Sequence, residues 1–329
     1  MKKKVLAFVL VAAMAVSLVG CAGNTTSGNE SSGTDGEADT NTLYIGVAAP
    51  ITGDMAETGV MMDVASRMAV DEINEAGGVN GYQLGLVLYD TKADPKESTE
   101  VARTFVEDDR IIAVCGDTTT SQVMAAAPIY EEGGLVQLTP TASGNDFPAM
   151  GDYQFSIAGR AADEIPEYVK NVLQGALNCK RLGIIYANDD WGSEIKTSVE
   201  QECEGTDIEI VTVESFMTGE TDFSSALSKM RQAEPDVLLL AAQYTEGALI
   251  AQQVDQMGWD IPMTTQGSLV QPAFCALAPS TCTFVGQCPI VFSEDVPDAY
   301  AFAQKFASYE GSGGIQPSLR AAATYNAIY

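Results

Sequence analysis

The chain has 329 residues, with 17 Lys and Arg against 45 Asp and Glu, a net charge of −28, and no histidine. That balance argues against nucleic acid, which rewards basic patches, and against electrostatic binding to anionic lipid. Without histidine a Ser-His-Asp or Cys-His site is impossible and the commonest metal ligand is missing, so neither a metal nor a cofactor is expected.

Lys2, Lys3 and Lys4 precede an apolar run from Val5 to Val19 that only Ser17 interrupts. The run is shorter than the roughly 20 residues of a spanning helix and reads as a signal-peptide core, residues 1–20. It ends Leu18-Val19-Gly20-Cys21, which resembles the bacterial lipobox. Cys21 is therefore the expected lipidation site and the lipid the expected membrane anchor, on the extracytoplasmic side. Residues 21–42 are Gly, Ser, Thr and acid with no large apolar side chain, a composition that stays a flexible linker.

From Leu43 strands and helices alternate. Leu43–Ala48 reads as a strand; Met61, Val64, Ala65, Met68 and Ala69 then repeat on one helical face, stopped by Gly77-Gly78. Gln83–Tyr89 is a strand, Pro95–Val106 a helix with proline in its first turn, Ile111–Cys115 a strand, Thr120–Glu132 a helix and Leu135–Leu138 a strand. After an irregular stretch, Thr139–Asp152, and a break near Tyr153–Arg160, the alternation resumes. Strands are expected at Arg181–Ala187, Ile208–Val213 and Asp236–Ala242, and helices at Trp191–Cys203, Phe223–Arg231 and Glu246–Met257. The strands are continuous apolar runs, the mark of parallel sheets covered on both faces. The fold class is α/β, with two doubly wound lobes. Ligands of such sheets bind beyond the carboxyl ends of the strands, which singles out the loops Ala49–Gly59, Gly116–Ser121, Thr139–Asn145, Ala187–Gly192, Ala241–Glu246 and Thr264–Ser268.

Seven cysteines include Cys21. Cys115 and Cys179 adjoin apolar runs and read as buried; Cys203, Cys275, Cys282 and Cys288 can pair outside the cell, with no connectivity assigned. No C-x-x-C spacing points to zinc.

The stretches IGVAAPITGDMAETG, AVDEINEAGGVNG, AAAPIYEEGGLVQLTPTAS, NDDWG and TDFSSALSKMRQAEPDVLLLAA, in this order, resemble the solute-binding lipoproteins of branched-chain amino acid ABC transporters, the type I periplasmic binding proteins. The resemblance implies two lobes joined by hinge strands, lobe 1 being 43–157 plus 289–329 and lobe 2 158–288. They close on a small amino acid-like solute and deliver it to an ABC permease, without chemistry of their own. It implies a carboxylate held by Thr120 and Ser121 at a helix start and by Thr141, Ala142 and Ser143. It further implies Trp191 and Gln243 or Tyr244 closing from the other lobe. Helix N-terminal N–H groups and hydroxyls make an anion site in any case; N-capping by Thr120 or Ser121, a surface turn at Thr141–Ser143 and core roles for Trp191 and Tyr244 are the plainer readings.

Three departures from the family stand out. No acid occupies the Thr264–Ser268 loop, where relatives hold the ligand ammonium; Asp189, Asp190 or Glu246 can supply the charge, or Gln266 makes neutral hydrogen bonds to a different solute. Thr58 stands where relatives use tyrosine. Ala93 and Thr119 replace the cysteines of a disulfide found in some of them. The family also continues past Asn326-Ala327-Ile328-Tyr329, so the chain is expected to be truncated. A ligand sensor of the same fold, or an extracytoplasmic carboxylate hydrolase, are the alternative functions.

Overall fold

The computed structural model describes residues 41–329; the signal peptide, Cys21 and most of the linker lie outside them. Strand β1 (Thr42–Ala49) leads to helix α1 (Ala56–Glu75), β2 (Gln83–Asp90), α2 (Pro95–Val106), β3 (Ile111–Cys115), α3 (Thr120–Gly133), β4 (Val136–Thr139) and β5 (Gln154–Ser156). The five strands form one parallel sheet in the order β2-β1-β3-β4-β5. Local chemistry sets the ends: Asp94 caps α2 by accepting from the Lys96 N–H at 2.7 Å, Pro95 fills its first turn, and Gly134 closes α3 at φ +66°.

Next come α4 (Ala161–Tyr168), which runs on as a π-helical stretch over Val169–Ala176, then β6 (Arg181–Ala187), α5 (Asp190–Cys203), β7 (Glu209–Phe216), α6 (Ser224–Gln232), β8 (Val237–Ala241), α7 (Tyr244–Gln256), β9 (Met263–Gln266), α8 (Pro272–Leu277) and β10 (Phe284–Gln287). These strands make a second parallel sheet, ordered β10-β9-β8-β6-β7. The chain then returns: α9 (Pro297–Ser308) and α10 (Leu319–Ile328) pack on α1, where Phe306 and Ala321 share a buried cluster with Met61 and Met68. Each large apolar side chain buried there stabilises the return by ~2 kcal/mol. Val237–Ala241 is buried at every position, as a strand covered on both faces must be.

The elements expected from the sequence are present, most within two residues of their expected ends. The Thr264–Ser268 loop is corrected: its first half belongs to β9. Thr264 and Thr265 are buried there because their hydroxyls find partners, Thr264 with the Tyr168 hydroxyl at 3.0 Å and Thr265 with the Leu240 carbonyl at 3.1 Å. The stretch Tyr153–Arg160 is likewise not a plain break, since β5 lies within it. All six cysteines among the described residues are free; Cys115, Cys179 and Cys203 are buried, which removes Cys203 from the expected pairing set. Among those residues no helix is long and apolar enough to cross a membrane.

Candidate functional site

In each sheet the strand order reverses once, between β1 and β3 and between β6 and β8. Such switch points leave a crevice at the carboxyl ends of the strands. The two crevices face a shared cleft of about 320 Å³, lined by Thr118–Thr120, Pro140–Ser143, Trp191, Gln243 and Gln266 together with Glu164 and Arg320.

Thr120 opens α3. Its Oγ1 is enclosed and has no hydrogen-bond partner among the described residues, while the preceding Thr119 leaves the helix start without a side-chain cap. Burying an unsatisfied hydroxyl costs about 1–3 kcal/mol, so the Thr120 hydroxyl keeps an unused donor at this end of α3. Ser143 lines the same wall. Thr141 is more constrained, its hydroxyl donating to the Thr118 carbonyl at 3.0 Å, and the Ala142 N–H is taken by Thr139 Oγ1 at 3.2 Å. The loop beneath is braced by a buried polar network: Thr139 Oγ1 donates to the Asp117 carbonyl at 2.7 Å, Thr91 Oγ1 to the Asp117 carboxylate at 2.7 Å, and the Gln122 amide to Thr91 at 3.2 Å.

Three expected site residues lie outside the cleft lining. Ser121 instead bridges the sheets' flanking helices, its Oγ accepting the Asp190 N–H at 3.2 Å. Tyr244 packs in the core under the second sheet, and Thr58 is buried in α1. Trp191 does two things at once, lining the cleft and closing the cluster around Ile195 and Leu239.

None of the three acids expected from sequence lines the cleft, and two are occupied elsewhere. Asp189 caps α5 through the Gly192 N–H at 2.7 Å; Glu246 accepts the Gly219 N–H at 3.2 Å; Asp190 is outside the lining. The acid in the cleft is Glu164 of α4. Burial raises its pKa, and the Gln266 amide donates to its carboxylate. In sequence Asp163-Glu164 looks like ordinary acidic dressing of a helix start, which is why it escaped notice.

Arg320 also escaped notice. Ser318 caps α10 by accepting the Arg320 N–H at 3.2 Å, so Arg320 sits in the first turn, where the helix dipole disfavours a cation. A lone arginine placed there before Ala321-Ala322-Ala323 was the available signal. Its Nη2 donates to Gln243 Oε1 at 3.0 Å, and burial lowers its pKa to about 10.

Residues 42–329 match the family described as periplasmic binding protein. The chain belongs to that family. Membership carries an extracytoplasmic location, and the relatives are of the branched-chain amino acid transporter type. The leucine-, isoleucine-, valine-, threonine-, and alanine-binding protein of Pseudomonas aeruginosa is 30% identical over 221 residues, 67% of this chain and 59% of that protein. The chain thus spans about three fifths of that relative. The branched-chain amino acid transporter substrate-binding protein of Streptococcus pneumoniae, solved with isoleucine, superposes with a TM-score of 0.77 at 27% identity, over 87% of this chain and 82% of that one. A solute-binding protein of an ABC transporter from Rhodopseudomonas palustris, solved with 3,4-dihydroxybenzoic acid, shares the fold at 18% identity and a TM-score of 0.76, over 88% of this chain and 78% of that one.

Proposed function

We propose that this periplasmic binding protein is the solute receptor of an ABC importer, tethered outside the cell by a lipid on Cys21, and that it clamps a small amphipathic carboxylate between two lobes, 43–157 plus 289–329 and 158–288. The observation that carries the reading is the enclosed, partnerless Thr120 Oγ1 at the uncapped start of α3. A carboxylate docked there accepts from the Thr120 hydroxyl, the α3 N–H groups and Ser143. Glu164, opposite in charge and held by Gln266, takes the place of the acid missing from the Thr264–Ser268 stretch and receives an ammonium group. Trp191 covers the solute from the second lobe. The permease partner and an amino acid-like solute follow from the names of the relatives above.

Isothermal titration against a panel of amino acids and their deaminated analogues tests this. At least one carboxylate solute binds, and Thr120→Val weakens it tenfold or more with an unchanged melting temperature of the free protein. Equal affinity of Thr120→Val and wild type overturns the clamp.

A further inference from the structure

Among the described residues Arg320 is a cation without an anion. Its Nε is enclosed and has no hydrogen-bond partner, its one side-chain bond goes to a neutral amide, and none of the ion pairs among the described residues includes it. This is conspicuous in a chain where acids outnumber bases 45 to 17. Arg320 is half-buried, and a charge partly withdrawn from water and left unpaired is costly unless a ligand completes it. Glu57 of α1 acts on the same Tyr244 as Arg320 but makes no ion pair with it among the described residues.

Arg320 also approaches the cleft from a different side than the hydroxyls. It stands on α10, which packs on α1, the helix after β1, and it reaches Gln243 after β8. Thr120 and Ser143 follow β3 and β4, and Glu164 follows β5. Arg320 is bonded to Gln243 next to the start of α7, and Glu164 stands on α4, which packs in the core cluster of the second sheet, so neither shares an element with the hydroxyl wall.

We propose that Arg320 is a second anion-holding point, so that the solute of this receptor carries two acidic groups, one for the Thr120–Ser143 wall and one for the Arg320 guanidinium. The proposal rests on reading the cleft as a carboxylate clamp. A guanidinium offers a planar fork to a carboxylate, and Gln243 keeps that fork oriented while leaving its Nε side unspent. With Glu164 lining the same cleft, the arrangement fits an amino diacid.

The test is isothermal titration of the full chain with L-glutamate and glutarate against L-norvaline, a monoacid of the same carbon number, for wild type, Arg320→Gln and Arg320→Lys. A diacid binds wild type at least tenfold more tightly than norvaline, Arg320→Gln brings the two within about threefold, and Arg320→Lys keeps part of the preference. Norvaline binding as tightly as both diacids overturns the proposal and leaves the clamp standing. So does an equal loss for both classes in Arg320→Gln, which assigns Arg320 to the first carboxylate or to the fold. Failure of all three solutes to bind overturns the proposal, and the Thr120→Val comparison on the wider carboxylate panel decides the clamp reading separately.

Discussion

The Thr91 hydroxyl donates to the Asp117 carboxylate at 2.7 Å, and both side chains are buried in the loop system that carries Thr120. Burial raises the Asp117 pKa from 3.8 to about 6, against the lowering effect of the Ser98 and Thr91 hydroxyls. The folded state therefore holds a proton that the unfolded chain releases at lower pH. Stability contributed by this group is full below pH 3.8 and declines as pH rises to about 6. A difference of that size corresponds to ~3 kcal/mol at about 1.4 kcal/mol per pKa unit. Asp117→Asn keeps an oxygen for Thr91 and removes the titration. Urea unfolding from pH 4 to 7 is expected to show a wild-type decline, relative to the variant, confined to that window; parallel curves refute the assignment.

Glu164 gives a second pH dependence, of ligand binding. Its carboxyl is raised by burial, with the Gln266 amide acting against the shift. Only the ionised form attracts an ammonium group, so affinity for an amino-bearing solute falls with acidification beginning above the ordinary glutamate range, while affinity for the deaminated analogue does not. Glu164→Gln is expected to abolish the difference between the two solutes and its pH dependence. Titration calorimetry at pH 5 and 7.5 reads both.

Gly144 sits against the back of Thr120. A Cβ built there comes within 2.5 Å of Thr120 Cγ2 and 3.3 Å of its Oγ1, with no left-handed backbone strain to confuse the outcome. Gly144→Ala thus displaces the hydroxyl that the clamp depends on without removing it. Affinity is expected to fall about tenfold or more, since the unsatisfied hydroxyl no longer points at the acceptor. A variant that binds as wild type would mean Thr120 plays no part.

Apolar runs and helix caps made the sheets and most helices legible in the sequence, because a strand buried on both faces has no alternative composition. Val237–Ala241 is such a case. The second half of the first crossing was not legible: Gln154–Ser156 is three residues long with Phe155 exposed, too short for a period to register. Of the site, the hydroxyl loops were readable from their position after β3 and β4. Ser121, Tyr244 and Thr58 stand outside the cleft lining, and the direction a side chain takes at a helix start cannot be read from composition. Asp189 and Glu246 were spent on backbone N–H groups, a use that composition cannot separate from ligand binding. Glu164 and Arg320 reach the cleft from helices far apart in sequence, and only the return of α10 onto α1 brings Arg320 there.

Besides the bond from Arg320 to Gln243, further direct bonds run between the two sheets' halves away from the cleft lining. Ser121 Oγ accepts the Asp190 N–H at 3.2 Å, the Glu194 carboxylate accepts the Asn145 N–H at 2.9 Å, and the Thr245 hydroxyl donates to the Asp54 carbonyl at 3.0 Å. Each joins an element of the first sheet's half to one of the second's, and none touches the cleft lining except through its neighbours. Removing one such bond costs a net ~1 kcal/mol, which acts on the open–closed balance instead of on the ligand contacts. Ser121→Ala and Glu194→Ala are each expected to weaken solute binding by about threefold to tenfold, mainly through faster release, and the double variant by the product, since the two bonds share no partner. Glu194→Gln keeps an acceptor for Asn145 and retains affinity. Stopped-flow dissociation with Trp191 fluorescence separates this from damage to the clamp: a closure defect speeds release and leaves the order of preference among solutes unchanged, whereas a changed preference would place Ser121 or Glu194 in contact with the solute after all.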